Sequence, residues 1–142
     1  MSYSLSFSQS LIIVVFVASK IEQKAFEFIS TQQIADKLNI PPSTSSVILR
    51  RLKKAGLIEA REGVNGGVRL AKLPEQITVL DIFDAVEQSG AMFPTNVNVL
   101  KADERAIRAQ HSILAVLVNA ENEMKRSLGA VTVKDLMLSL KG

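Results

Sequence analysis

Apolar residues dominate the start of the chain, where residues 11–18 read LIIVVFVA. An uninterrupted run of this kind predicts a buried helix, which we place over residues 5–19. The run is shorter than the ~20 residues that cross a bilayer, and no basic residue precedes Lys20, so we expect neither a membrane span nor a cleaved signal peptide. The sequence therefore predicts a soluble protein of the cytoplasm with no membrane partner.

Two short amphipathic helices follow, separated by a tight turn. The residues STQQ at 30–33 match a capping box, so a helix should begin there. It should end near Asn39, because the prolines of NIPPS disfavour helical geometry in the residues before them. A second helix should run from residue 42 or 43 to Ala55 and end at Gly56, a typical C-cap residue. Two helices joined in this way are typical of a helix-turn-helix.

The second of these helices has two distinct sides when its residues are placed at intervals of about 100°. The inward side is predicted to hold Ser45, Ile48, Leu52 and Ala55. The outward side is predicted to hold Ser43, Ser46, Arg50, Lys53 and Lys54. Small hydroxyl side chains let a backbone approach base edges in a major groove, and cations reach the flanking phosphates. The pattern favours DNA binding; the alternative is an amphipathic surface helix with incidental serines.

The stretch REGVNGGVRL, residues 61–70, places three glycines within five positions. The segments LIEAR (57–61) and VRLA (68–71) predict two strands, and EGVNGG between them suits a hairpin turn. The glycine spacing matches neither a Walker loop nor a dinucleotide-binding loop. A hairpin directly after a helix-turn-helix predicts a wing, with a tip narrow enough for a minor groove and with Arg61 and Arg69 available to phosphates.

The pattern of apolar and polar residues changes from that of strands to that of helices after Pro74. ITVLDIFDAVEQSG predicts a helix that ends at Gly90, and residues 91–99 predict a loop. A further helix should run from about Ala102 to Leu128 and extend ~40 Å, longer than a domain of this size needs for its own core. We expect it to pair with its copy in a second subunit; the alternative is a helix folded back over its own domain. Its candidate interface residues are Ile107, Leu114, Leu117, Val118, Met124 and Leu128.

These elements give a mainly α fold with a small β-hairpin wing. Residues 1–74 are predicted to form a winged helix-turn-helix DNA-binding domain, and residues 75–100 a linking helix and an effector-type loop. Residues 101–142 are predicted to form the long dimerisation helix and a C-terminal helix. With 142 residues, 47% of them apolar, the chain can build a core. By position alone, the loop 89–101 is a candidate site for a small-molecule effector, which the sequence leaves unidentified.

Positive charge is concentrated in one region of the chain. Residues 50–72 contain seven lysines or arginines against Glu59 and Glu62, whereas the rest of the chain is slightly acidic. This distribution predicts contact with a polyanion such as nucleic acid. The alternative from another class is a winged-helix interaction or assembly module whose basic face binds an acidic protein partner. The sequence offers no set of nucleophile, base and orienting residue, so we predict that the protein is not an enzyme.

Taken in order, the segments STQQIADKLNIPPS, ILRRLKKAGLI, GVNGGVRLAK and ITVLDIFDAVE resemble the Rrf2 family of bacterial winged-helix transcriptional regulators. The most specific part is KAGLI followed by G-x-x-G-G-x-x-L, and the resemblance covers nearly the whole chain. It implies a homodimeric repressor that binds double-stranded DNA at a palindromic operator. It also implies base-reading roles for Ser43, Thr44 and Ser46 and a wing tip at Asn65, Gly66 and Gly67. The complete predicted DNA-binding set is Thr31, Ser43, Thr44, Ser46, Arg50, Arg51, Lys54, Arg61, Asn65, Gly66, Gly67 and Arg69.

Two departures from the family pattern change what the resemblance implies. Many members carry a basic residue just before the first wing glycine, where this chain has Glu62, so we expect weaker minor-groove binding. Cluster-binding members carry three cysteines in the loop before the long helix, whereas this chain has no cysteine. The lone His111 has no partner ligands with which to replace them. We therefore predict a regulator without an iron-sulfur cluster, another cofactor or a metal site.

Overall fold

The computed structural model describes residues 5–24, 26–87, 93 and 103–141. The helices are α1 (Leu5–Glu22), α2 (Thr31–Leu38), α3 (Pro42–Lys54), α4 (Val79–Val86), α5 (Glu104–Gly129) and α6 (Val133–Ser139). The strands are β1 (Ile58–Arg61) and β2 (Gly67–Leu70), and a 3-10 helix covers Pro74–Gln76. The predicted fold class, mainly α with a small hairpin, is confirmed.

Side-chain and backbone caps define the helix-turn-helix formed by α2 and α3. The Ser30 hydroxyl accepts a hydrogen bond from the Gln33 amide at 3.1 Å, and the Gln33 side chain accepts one from the Ser30 amide at 2.9 Å. α2 ends where Asn39 takes the left-handed conformation, with a φ of 53°. α3 begins at Pro42, whose missing N–H costs nothing in a first helical turn. The predicted capping box and turn are confirmed.

α3 buries the side that its helical phase predicts, with one exception. Its buried residues are Ser45, Ile48, Leu49 and Leu52. Ala55 is exposed, so the prediction that it faces inward is wrong. The physical reason is that the helix ends at Lys54, which leaves Ala55 as its C-cap. Gly56 then redirects the chain with a φ of +77°.

The wing is a hairpin that pairs with a third backbone segment. β1 and β2 are antiparallel along their whole length, and each lies within one residue of its predicted bounds. On the other side of β2, Ile29 and Val68 exchange two backbone hydrogen bonds of 2.9 and 2.8 Å. This pairing joins the segment before α2 to the wing.

Close backbone approach explains two of the wing glycines. A Cβ on Gly67 would overlap the Ile29 carbonyl, and the φ of Gly67 is +146°. A Cβ on Gly66 would overlap the Arg61 carbonyl. These glycines therefore allow three backbone segments to meet, in addition to the narrow tip that the sequence predicts.

Helix α1 lies in the middle of the core, where it packs against α2, α3, α4, α6 and β2. Its Ile13, Val14 and Val17 are almost completely buried, which confirms the predicted buried first helix. Among the described residues, α1 is also the one helix long and apolar enough to cross a membrane by length and composition, with a mean hydropathy of 1.5. This criterion is weak evidence for a membrane span, because the core helix of a soluble protein and a signal sequence both meet it.

The helices after the wing differ from prediction mainly at the end of α4. α4 ends at Val86, four residues before the predicted Gly90, because Glu87 leaves helical geometry with a ψ of 95°. Gly90 and most of the loop 89–101, the candidate effector site, lie outside the described residues. α5 has bounds close to those predicted, and no residue of it is buried.

Two backbone hydrogen bonds join the segment between α5 and α6 to the start of α4. The Val79 N–H donates to the Val131 carbonyl and the Val133 N–H donates to the Ile77 carbonyl, each over 2.8 Å. α6 then packs on α1 and adds Val133 and Met137 to the core. The C-terminal helix thus shares a core with the winged helix, although the sequence pattern groups it with the long helix. The division into three domains stays a prediction.

Candidate nucleic-acid interface

The outer side of α3 is open and carries hydroxyl groups and cations. Ser43 and Ser46 are exposed near its start. Arg50, Lys53 and Lys54 are exposed toward its end. Within the part of the chain that the structure describes, none of these three cations is held in an ion pair. Their charge is therefore available to an external anion.

Arg51 differs from its neighbour Arg50. The Arg51 side chain is partly buried, and its Nη1 donates to the Val86 carbonyl at the C-terminal end of α4 over 3.0 Å. A cation at this end of a helix satisfies a free carbonyl and opposes the negative end of the helix dipole. The structure gives Arg51 a role in joining α3 to α4, which its sequence-based assignment to DNA contact did not anticipate.

Arg61 and Arg69, the arginine pair, form a cluster on the strands of the wing, with Arg61 next to the tip. Their guanidinium carbons lie 4.2 and 4.5 Å from the centre of the Phe28 ring, within cation–π range. One Glu27 oxygen lies 3.6 Å from an Nη1 atom of each arginine. Arg69 also donates to Glu59 on the opposite strand. Intramolecular contacts therefore hold both arginines in place.

The wing tip is a compact turn with an exposed apolar side chain. The Gly66 N–H donates to the Gly63 carbonyl over 3.0 Å, and Arg61 Nη2 donates to the Asn65 carbonyl over 3.0 Å. The Val64 side chain is fully exposed between these contacts. The tip is thus ordered by hydrogen bonds while its outer surface stays open.

The structure redistributes the positive charge that the sequence predicts. Glu27 and Glu59 offset the charge of the arginine pair, whereas Arg50, Lys53 and Lys54 on α3 have no ion pair among the described residues. The sequence analysis missed Glu27 and Phe28, because they reach the wing only through the pairing of Ile29 with β2. Glu62 is exposed, and its expected weakening of minor-groove binding stays a prediction.

The start of α2 and the wing tip border a cleft of about 540 Å³. Three residues of the predicted DNA-binding set, Arg61, Asn65 and Gly66, line this cleft together with Glu27, Phe28 and Ser30. Two other members of the set lie at helix starts and are partly buried: Thr31 opens α2, and Thr44 lies in the first turn of α3.

The apolar residues of α5 are incompletely covered. Of the predicted interface residues, Leu114, Leu117, Met124 and Leu128 are partly buried, and Ile107 and Val118 are exposed. Two further residues that the sequence analysis missed, Ile113 and Val116, are 55% and 67% exposed. α5 packs against α4 near its C-terminal end, where Gly129 lies beside Leu80. The helix therefore presents an apolar surface that the described residues leave open.

The described residues contain no group of three or more histidine, cysteine, aspartate or glutamate side chains that could hold a metal ion. His111 is exposed on α5. Because the whole sequence lacks cysteine, a cluster bound by thiolates has no ligands in this chain.

Comparisons with known proteins agree with this architecture. The family model Rrf2, described as iron-dependent transcriptional regulator, matches residues 3–139. The HTH-type transcriptional regulator NsrR of Shouchella clausii is 32% identical over 115 residues, which cover 78% of this chain and 72% of that protein. The structure of CymR (YrzC), the global cysteine regulator of B. subtilis, matches with a TM-score of 0.70 and 25% identity over 98% of both chains. IscR of T. potens shares the fold, with a TM-score of 0.72 and 19% identity over 99% of this chain and 88% of that chain.

The geometry and the comparisons support the same conclusion. The family and its relatives are transcriptional regulators rather than enzymes, which confirms the prediction of a non-enzymatic function. They also favour DNA over an acidic protein as the partner of the basic face. The chain, with its helix-turn-helix and its wing, belongs to the Rrf2 family of DNA-binding transcriptional regulators.

Proposed function

We propose that this protein is a homodimeric repressor that binds a palindromic operator and acts in the cytoplasm. The observation that carries the proposal is the two-sidedness of α3: Ile48 and Leu52 are buried on one side, while hydroxyl groups and unpaired cations lie on the other. A helix of this kind enters a major groove with its outer side toward the bases.

Each group on the outer side of α3 has a distinct use in the groove. Ser43 and Ser46 are short, so they let the helix start approach base edges and can donate or accept hydrogen bonds there. Arg50 and Lys54 are long enough to reach phosphates on either side of the groove. The wing tip at Asn65 would then lie in the adjacent minor groove.

The dimer is supported by the open apolar surface of α5. Exposed isoleucine and valine side chains on a 26-residue helix are stabilised when a second copy of the helix covers them. A two-fold dimer presents two copies of α3, so its operator should contain two half-sites in inverted orientation. Such a dimer represses transcription when its operator overlaps a promoter.

We further propose that the protein regulates without an iron-sulfur cluster, although its family is described as iron-dependent. The residues present do not fit such a cluster, since thiolate ligands are missing from the sequence. The purified protein should therefore bind its operator with the same affinity before and after treatment with an iron chelator.

The main test is binding to the DNA upstream of the protein's own gene, measured by fluorescence anisotropy at several salt concentrations. Arg50→Ala should weaken binding about tenfold or more and reduce the salt dependence, because Arg50 is exposed and unpaired. Arg108→Ala is the control: it removes the same charge from an exposed position on α5, where Arg108 lies 3.9 Å from Glu104, and binding should change little.

Arg51 is left out of this test, because Arg51→Ala would also break the contact with Val86. Selective binding that is lost with Arg50→Ala and kept with Arg108→Ala supports the proposal. Equal binding of the upstream fragment and of random DNA by the wild type would refute it. A reporter driven by the same fragment should rise in expression when the gene is deleted.

A further inference from the structure

The arginine pair of the wing shares one carboxylate. The same Glu27 oxygen lies 3.6 Å from Nη1 of Arg61 and from Nη1 of Arg69, and both guanidinium groups contact the Phe28 ring. Two cations this close repel each other, and an anion that contacts both relieves the repulsion. Glu27 supplies that anion when no other ligand is present.

Glu27 is only weakly held in this position. Its side chain is 65% exposed, and 3.6 Å is longer than the roughly 2.7–2.9 Å of a strong charge-assisted hydrogen bond. An exposed ion pair of this kind contributes little to stability. Arg69 keeps a second carboxylate partner in Glu59, and Arg61 keeps the Asn65 carbonyl, so each arginine retains a partner when Glu27 leaves.

The location of the pair favours a DNA phosphate as the anion that replaces Glu27. Arg61 and Glu27 line the cleft between the start of α2 and the wing tip. In helix-turn-helix complexes the first helix of the motif crosses the sugar-phosphate backbone, and wings contact the same backbone or the adjacent groove. In the proposed complex, a backbone phosphate would therefore approach Arg61 and Glu27 from the cleft, with Arg69 beside them.

We propose that Glu27 occupies the position of a DNA backbone phosphate in the free protein and is displaced by that phosphate on binding. The proposal rests on the proposed function. Phosphate oxygens bind guanidinium groups through paired, charge-assisted hydrogen bonds, so a phosphate can replace the longer contacts of Glu27. Because every DNA sequence offers phosphates, Glu27 lowers the affinity for all DNA and leaves base selection to α3.

The test is a double-mutant cycle on DNA affinity. Glu27→Gln keeps the size of the side chain and removes its charge, so it should tighten binding about threefold to tenfold. The same substitution in a chain that also carries Arg61→Gln and Arg69→Gln should have no effect, because no arginine remains for Glu27 to occupy. Asp36→Asn, which neutralises an exposed carboxylate bonded to Gln32, should change affinity less than Glu27→Gln does.

The outcomes separate this inference from the proposed function. Tightening by Glu27→Gln that disappears in the background without the arginines supports the displaced-carboxylate site. Equal tightening in both backgrounds would overturn it, since Glu27 would then act only as a general negative charge. Selective wild-type binding with no change for Glu27→Gln would also overturn it and leave the proposed function standing. Glu27→Ala should also tighten DNA binding. Circular dichroism of each variant should match that of the wild type, which excludes a folding effect.

Discussion

The winged-helix body, which consists of α1–α4, the wing and α6, and the long helix α5 bury their apolar residues differently. Every helix of the body contributes buried side chains, and these form a continuous core. α5 has 26 residues and no buried side chain, although Ile113, Val116 and Val118 are large and apolar. The body therefore forms its core within one chain, whereas the described residues leave the large apolar side chains of α5 exposed.

In the proposed dimer, this difference indicates where the second molecule packs. Burial of a leucine or isoleucine side chain is worth about 1.5–3 kcal/mol, and the body obtains this free energy from its own residues. Helices depend mostly on such packing for their stability, since isolated helices are marginal in water. α5 obtains little of it from the described residues, so in the proposed dimer its stability and the assembly state are interdependent.

The largest effect is expected when charge is placed on the open surface of α5. Ile113→Asp combined with Val116→Asp should raise the dimer dissociation constant by at least about a thousandfold, because both carboxylates would lose water in an apolar interface. Sedimentation velocity would then show a monomer. Asn119→Asp combined with Asn122→Asp adds the same charge to exposed positions on the polar side, and this control should stay dimeric. If both double variants sediment as dimers, α5 is not the dimer interface.

A cavity in the body should cost stability in every assembly state. Leu52 is completely buried, so Leu52→Ala should lower the free energy of unfolding by about 2–5 kcal/mol in urea denaturation of the monomeric α5 variant. Val118→Ala in the same background should lower it by less than about 1 kcal/mol, because Val118 is already exposed there. Similar losses of unfolding free energy for the two variants would mean that apolar side chains stabilise the body and α5 to the same extent.

Gly67→Ala tests whether the close approach of backbone segments at the wing excludes a side chain at this position. Gly67→Ala should destabilise the wing by about 1–3 kcal/mol, because its Cβ overlaps the Ile29 carbonyl at a positive φ. Gly63→Ala is the matched control: its φ is +104°, but nothing lies within 4 Å of its Cβ. Hydrogen exchange of the Val68 amide should be faster in Gly67→Ala than in Gly63→Ala. Faster exchange in Gly63→Ala would show that the positive φ, and not the overlap with the Ile29 carbonyl, limits substitution in the wing.

The smallest effect concerns a buried hydroxyl in the body. Ser45 is completely buried, and its Oγ has no hydrogen-bond partner among the described residues, so Ser45→Ala should stabilise the protein by up to about 1 kcal/mol. Ser10 is equally buried, but its Oγ donates to the Phe7 carbonyl over 2.6 Å, so Ser10→Ala should not stabilise. Thermal unfolding of both variants measures the difference. A loss of stability for Ser45→Ala would reveal a bound water or another hidden partner.

Local signals allowed the helix-turn-helix to be predicted from the sequence. The capping box at Ser30 and the left-handed Asn39 act within a few residues of the backbone that they terminate. The end of α4 was not predictable in this way, because Val86 is followed by an extended residue and not by a glycine. Ala55 was misplaced for a similar reason, since helical phase gives no information on where a helix stops.

Contacts between residues distant in the chain were not predictable. Arg51 and Val86 are separated by 35 positions, and no periodicity in either segment indicates that they meet. Glu27 reaches the arginine pair only because Ile29 pairs with β2. On α5, spacings of three, four and seven residues select the row of Leu114 and Leu117. Ile113 and Val116 fit the same spacings, and periodicity alone does not tell which apolar residues of the helix stay exposed.

Helix α4 is held at both ends, by Val131 at its start and by Arg51 at its end. Its eight residues span about 12 Å, so it acts as a spacer between the long helix and α3, the proposed reading helix. In the proposed dimer, the protein then fixes the distance between its two reading helices. One base pair inserted between half-sites shifts one site by about 3.4 Å and rotates it by roughly 35°. The proposed dimer would thus select its operator by the spacing of the half-sites as well as by their base sequence.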